Sequence, residues 1–207
     1  MAIAKVRAAI EELKTVDPII RAHIEAHEPC PLKPKSGGRD HFEQLARNIA
    51  YQQLAGKAAA TIWGRVRALV DGPFTAEAVR LLSEEELRGA GLSGNKMLSL
   101  RDLADHVLTG QLPLDRLARQ SDDQVIEELV RVRGIGRWTA EMFLMSQLGR
   151  LDVWPIGDLG VRNGYRLLYK LPELPTVQEL DAYGDKYRPY RSVAAWYMWR
   201  AADTLTP

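Results

Sequence analysis

The stretch Leu151-Asp-Val-Trp-Pro-Ile-Gly-Asp-Leu-Gly-Val161 places a carboxylate, Asp158, behind a proline and a glycine, where a helix should begin. An aspartate at that point is an ordinary helix N-cap. A carboxylate held at a fixed point can also stabilise positive charge developing on a substrate, or take a proton from water. The two roles are compatible. A second stretch, Arg133-Gly-Ile-Gly-Arg-Trp-Thr-Ala140, interrupts two helical runs with a Gly-x-Gly turn. Gly134 and Gly136 supply backbone freedom and let a partner approach the main chain. The helix restarting at Arg137 to Thr139 would present free N–H groups and the positive end of its dipole, which suits an anion such as phosphate. A plain helix–helix connection has the same pattern. Trp138, Trp154 and Trp199 are large aromatics for which core packing is the ordinary role. The four histidines (23, 27, 41 and 106) are scattered. His23 and His27 are four apart, but no glutamate at zinc-protease spacing and no cysteine completes a site, so a solvated face is expected. The single cysteine, Cys30, rules out an internal disulfide framework and an all-cysteine iron–sulfur cluster.

These residues need a scaffold, and the sequence reads as helix after helix. With 207 residues and 46% hydrophobic content the chain can build one domain, or two small lobes sharing a core. Ile3, Val6, Ile10 and Leu13 keep helical spacing; Asp17-Pro18 looks like an N-cap followed by proline in the first turn. Ser83 with Glu86, Ser121 with Gln124, and Thr176 with Glu179 are capping boxes ahead of apolar residues. Residues 27–40, with three prolines and two glycines, read as a linker, and Gln-Gln-Leu-Ala-Gly (52–56) breaks a helical pattern. Gly91-Leu-Ser-Gly-Asn-Lys96 is a second tight connection, or a plain turn. No strand pattern emerges. The expected fold is all-α with about ten helices, in lobes of residues 41–150 and of 1–40 plus 151–207. The amphipathic N-terminus and the lack of an 18-residue apolar run lead to the expectation of a soluble, cytoplasmic monomer without a membrane partner. Net charge is +1, so a polyanionic partner would require local charge or a main-chain grip.

Leu129-Val-Arg-Val-Arg-Gly-Ile-Gly-Arg-Trp-Thr-Ala-Glu-Met-Phe143 resembles the helix–hairpin–helix of the HhH-GPD superfamily of DNA glycosylases, which pairs that hairpin with a Gly/Pro-rich loop and an aspartate. The loop follows at 151–165. Residues 47–66 are similar to the family helix carrying a glutamine and a wedge residue, and 188–199 to its C-terminal Arg-Ser-aromatic helix. Four matches in order span about residues 40–200, and the branch they most resemble is that of the bacterial 3-methyladenine DNA glycosylase II enzymes. The β-rich N-terminal domain of some members is not expected in this sequence.

The resemblance implies an enzyme that hydrolyses the N-glycosidic bond of alkylated bases flipped from double-stranded DNA, leaving an abasic site. It implies Asp158 as the catalytic carboxylate, in a cleft shared with Trp138. Trp138 stands where strand-cutting members carry a lysine, so Schiff-base chemistry is excluded and a monofunctional enzyme is expected. Trp138, Trp199, Trp154 and Gln53 would line the base pocket, and Leu54 would fill the gap in the base stack. Gly134, Gly136, Arg137, Thr139 and Lys96 would hold the DNA backbone. The carbonyls of Val130, Val132 and Gly134 would hold a structural Na+ or K+; no catalytic cofactor and no iron–sulfur cluster is implied. Arg131, Arg133, Arg137, Arg162 and Arg166 could concentrate positive charge. Two rivals remain: the same fold acting on another damaged base, and a non-catalytic DNA-binding hairpin protein.

Overall fold

The computed structural model describes residues 2–33, 38–54 and 56–205. Among them are twelve α-helices, two short 3-10 turns and no strand. None of these helices is long and apolar enough to cross a membrane. The chain divides into two compact units, residues 36–140 and residues 1–35 with 141–207; the lobe boundaries expected from sequence were 41 and 150.

The 36–140 unit holds α3 (Gly38–Tyr51), α4 (Gly56–Ala68), α5 (Ala76–Leu81), α6 (Glu84–Gly89), α7 (Gly94–Leu108), α8 (Asp122–Val130) and the start of α9 (Arg137–Ser146). Helix α7 packs on α3, α5 and α6. Leu45, Leu87, Leu103 and Leu129 are fully buried, and Phe74 sits against Phe42 and Trp63 at ring distances of 6.0 and 5.1 Å. Helix α3 begins at Gly38, inside the stretch read as linker. The capping boxes Ser83/Glu86 and Ser121/Gln124 are formed, with side chain and backbone bonded reciprocally at the starts of α6 and α8. Such boxes involve residues three apart, so they depend on nothing distant.

The other unit contains α1 (Ala2–Leu13), α2 (Pro18–Glu25), α10 (Leu159–Leu168), α11 (Val177–Gly184) and α12 (Arg191–Leu205). Thr176 and Glu179 complete the third capping box at α11. Val193, Ala194, Ala195, Tyr197, Met198 and Ala201 of α12 are wholly buried, which makes α12 the central rod, flanked by α1, α2 and α10. Asp17 caps α2, its Oδ1 accepting from the amides of Ile19 and Ile20 at 2.9 Å. Its Oδ2 accepts from Tyr169 Oη (2.8 Å) and Lys186 Nζ (2.9 Å). Burial pushes the Asp17 carboxyl up, but these bonds outweigh it and hold the group below the usual carboxylate range. The expectation of a solvated His23/His27 face is corrected for His23. It is buried because α2 packs on α12, and its Nε2 bonds Tyr197 O at 3.0 Å. Desolvation, with the neighbouring His27 adding to it, pushes its pKa down.

The tightest contact in this unit is α10 against α12. A Cβ on Gly164 would overlap the main-chain carbonyl of Met198. Main chain cannot yield as a flexible side chain can. We therefore expect Gly164→Ala to destabilise the protein by about 1–3 kcal/mol, the usual range for overpacking. Thermal or urea unfolding measures this, and an unchanged midpoint would mean that α10 and α12 can separate at little cost.

Candidate active site

Asp158 occupies the N-cap of α10 and is only 9% exposed. Its Oδ1 accepts from Val161 N at 2.8 Å, as a helix cap should, and from Trp199 Nε1 at 2.9 Å. The second bond fixes the carboxylate plane from α12. Gly160 makes room for it: a Cβ there would lie 2.9 Å from Trp199 Cδ1 and 3.1 Å from Asp158 Oδ1. Trp199, expected as a pocket wall, is half-buried and bonded to the carboxylate itself.

The loop before Asp158 is gripped at several points. Asp158 N bonds Pro155 O, and Ile156 N bonds Trp154 O, both at 2.9 Å. The α12 N-terminus clamps residues 151–153. Arg191 Nε donates to Asp152 Oδ1 at 2.7 Å, and its Nη2 reaches Asp152 O at 2.8 Å and Oδ2 at 3.1 Å. Ser192 N donates to Leu151 O, and Val153 N to Ser192 Oγ, both at 2.9 Å. A fork of this kind is stronger and more directional than a single ion pair. Sequence reading noticed the Arg-Ser pair but gave it no role. The 39 residues separating Arg191 from Asp152 leave no periodic trace.

Trp154 requires a correction. It is buried, its indole donates to Leu180 O at 2.8 Å, and its ring occupies the place a Gly184 Cβ would need. An indole whose N–H and faces are used in this way is a core residue pinning the loop to α11, rather than a pocket wall.

In the other unit the hairpin joins α8 to α9. Gly134 has φ +77°, and a Cβ there would stand 2.5 Å from Ser99 Oγ. Arg133 N donates to Asp102 Oδ2 at 2.7 Å, and Arg133 Nη2 reaches Asn95 Oδ1 at 3.3 Å. Gly136 has no positive φ and faces open space, so only the close approach of an external partner would demand a glycine there. Among the described residues the amides of Gly134, Gly136 and Thr139 have no acceptor. Thr139 as a whole residue is buried. Arg137 opens α9, and Trp138 beside it is 50% exposed.

Leu54 is 38% exposed, which excludes a core leucine. Exposed Gln53 beside it takes a left-handed φ of 56°. Gln52, missed by the sequence reading, donates from Nε2 to Gly134 O at 2.7 Å. Lys96 Nζ donates to Ala50 O at 2.8 Å, capping the end of α3, and desolvation pushes its pKa down. An ammonium has three donors, so this structural bond leaves capacity for another. Of the expected cation ligands, Val132 O accepts from Ile135 N at 3.0 Å and Gly134 O accepts from Gln52. Each carbonyl retains a second lone pair. Among the described residues no group of three or more His, Cys, Asp or Glu could hold a metal.

The family model of HhH-GPD superfamily base excision DNA repair proteins matches residues 46–189. The chain belongs to this superfamily. It is 40% identical over 167 residues to the DNA-3-methyladenine glycosylase 1 of Schizosaccharomyces pombe, covering 79% of this chain and 73% of that protein. The structure of the S. pombe 3-methyladenine DNA glycosylase with abasic DNA superposes with a TM-score of 0.83 at 35% identity, over 93% of this chain and 95% of that one. A DNA-3-methyladenine glycosidase from Bacillus halodurans gives 0.82 at 39% identity, over 93% and 89%.

The hairpin geometry is testable. Gly134→Ala combines a positive φ with a clash and should cost about 1–3 kcal/mol. Ser99→Ala in that background removes Oγ, the nearest atom, and should recover part of the loss, leaving the φ strain. Unfolding of the two single variants and the double variant measures the coupling; strict additivity would show that Ser99 does not restrict the glycine.

Proposed function

We propose that this HhH-GPD protein is a monofunctional DNA glycosylase of the DNA-3-methyladenine glycosylase II type. It hydrolyses the N-glycosidic bond of alkylated bases extruded from double-stranded DNA. The observation that carries the reading is the Asp158 carboxylate, nearly buried and fixed by Val161 N and Trp199 Nε1. The names of the relatives support the choice of lesion.

In this reading the bond from C1′ to the base nitrogen breaks first, and its electron pair leaves with the base. A base alkylated at a ring nitrogen is cationic in the nucleoside and departs neutral, so it needs no strong general acid. Positive charge is left on the deoxyribose. The fixed carboxylate of Asp158 stabilises that charge without reorganising. Water then forms the new bond to C1′, and Asp158 takes its proton. Trp138 carries no nucleophile, so no Schiff base forms and the strand stays intact. Its half-exposed indole offers a face for a cationic base. The hairpin amides suit a phosphate, and a Na+ or K+ on the Val130, Val132 and Gly134 carbonyls would add local positive charge.

Asp158→Asn separates catalysis from capping. Asparagine caps a helix as well as aspartate, and its carbonyl can accept the same two bonds. The fold should therefore be unchanged, while single-turnover release of 3-methyladenine from methylated duplex DNA should fall about 100- to 1000-fold. The wild type should leave abasic sites that break only on alkali treatment. Release unaffected by the substitution would reduce Asp158 to a cap and end the mechanism.

Trp199→Phe keeps the ring and removes the donor to Asp158. A hydrogen bond to a charged group is worth about 1.5–3 kcal/mol, so kcat should drop by roughly tenfold or more with KM little changed. An equal loss in DNA affinity would instead identify Trp199 as a binding residue.

A further inference from the structure

The α3–α4 loop contains an exposed leucine, Leu54, and two residues shortly before it, Ala50 and Gln52, are tied to other elements. Helix α3 ends at Tyr51 and α4 starts at Gly56. Leu54 N bonds Tyr51 O at 3.3 Å, a weak closure, and Gln53 takes the left-handed φ of 56° that a residue with a Cβ resists. Such a loop needs outside anchors to keep one shape. Two are present. Lys96 Nζ holds Ala50 O at 2.8 Å at the end of α3. Gln52 Nε2 donates to Gly134 O at 2.7 Å, across 82 residues of sequence. The second anchor is the hairpin itself, at a glycine with φ +77° that packs beside Ser99.

We propose that Gln52 is a positioning residue: its bond to the Gly134 carbonyl holds Leu54 in the geometry for insertion into the base stack, so that seating the hairpin on a DNA backbone also sets the wedge. The inference rests on the glycosylase reading for the identity of the polymer. The amide suits the task. It is a planar donor on a side chain long enough to span two loops, and it stays uncharged, so no counter-charge is brought next to the phosphate-binding amides. Glutamate would reverse the contact, setting an acceptor against an acceptor.

The test uses duplex DNA carrying a tetrahydrofuran abasic analogue beside 2-aminopurine, whose fluorescence rises when it is unstacked. Saturating wild-type protein should raise the signal, and Leu54→Ala should lower the rise. Gln52→Ala should lower it two- to fivefold with an unchanged thermal midpoint, and the double variant should be no worse than Leu54→Ala alone, because both act at one step. Gln52→Glu should match Gln52→Ala. A wild-type-like rise in Gln52→Ala, losses that add in the double variant, or a flat response from the wild type would each overturn the proposal. If the wild type excises no base yet the signal is still lost in Gln52→Ala, the glycosylase reading fails and the positioning role stands.

Discussion

A carboxylate leaves water only where other donors replace its hydration, and much of the 1–35 and 141–207 unit is arranged around that requirement at Asp158. One donor is the first turn of α10, reached because Asp158 sits at its N-cap. The other is the indole of Trp199, 41 residues away on α12. For both to meet one oxygen, α10 and α12 must come close together. Gly160 yields space to the indole and Gly164 yields space to the Met198 backbone. The small side chains on α12, with Ala194, Ala195 and Ala201 fully buried, belong to the same arrangement. The N-terminus of α12 then fixes the loop from the other side, through Arg191 on Asp152 and Ser192 on Val153. One helix thus orients the carboxylate at its middle and restrains the preceding loop at its start.

The 36–140 unit answers a different constraint. A tight hairpin that leaves its amides available cannot satisfy itself, so its shape must be imposed by neighbours. Asp102 takes the Arg133 amide, Ser99 limits the space at Gly134, and Gln52 takes the Gly134 carbonyl. Asp102 and Ser99 lie on α7, one helical turn apart, so a single helix face dictates the turn. What remains undirected inward is the set of amides at Gly134, Gly136 and Thr139.

The residues legible from sequence are those whose reasons are local. Capping boxes, the Asp17-Pro18 start of α2 and the end of α3 before Gln52 depend on neighbours within a turn, and all are formed. Asp158 was legible twice, as a cap and through its resemblance to a family motif. Its indole donor was not, because hydrogen bonds across tens of residues leave no pattern in composition or spacing. The same applies to Arg191 with Asp152 and to Gln52 with Gly134. Trp154 and Trp199 show the limit plainly. Both are tryptophans near the same loop, yet one spends its N–H on the Leu180 backbone and the other on the Asp158 carboxylate. Residue type cannot separate these outcomes; only the packing direction of the helix does. His23 was misjudged for a related reason, since the burial of α2 against α12 is a tertiary event.

Near-neutral net charge is consistent with a polyanionic partner once the sources of attraction are separated. Many basic side chains are already committed to carboxylates: Arg67 to Glu43, Arg80 to Asp105, Arg88 to Glu84, Arg188 and Arg191 to Asp152, and Arg200 to Asp203. The exposed ones, such as Arg88 with Glu84 and Arg200 with Asp203, add little stability, and all of these pairs cancel long-range charge. A helix N-terminus behaves differently. Its partial positive charge comes from peptide dipoles, cannot be titrated, and acts over the first turn. Binding of that kind depends on geometry at short range rather than on the field of the whole protein. A protein that must pass over much undamaged polymer gains from weak long-range attraction combined with a firm local fit.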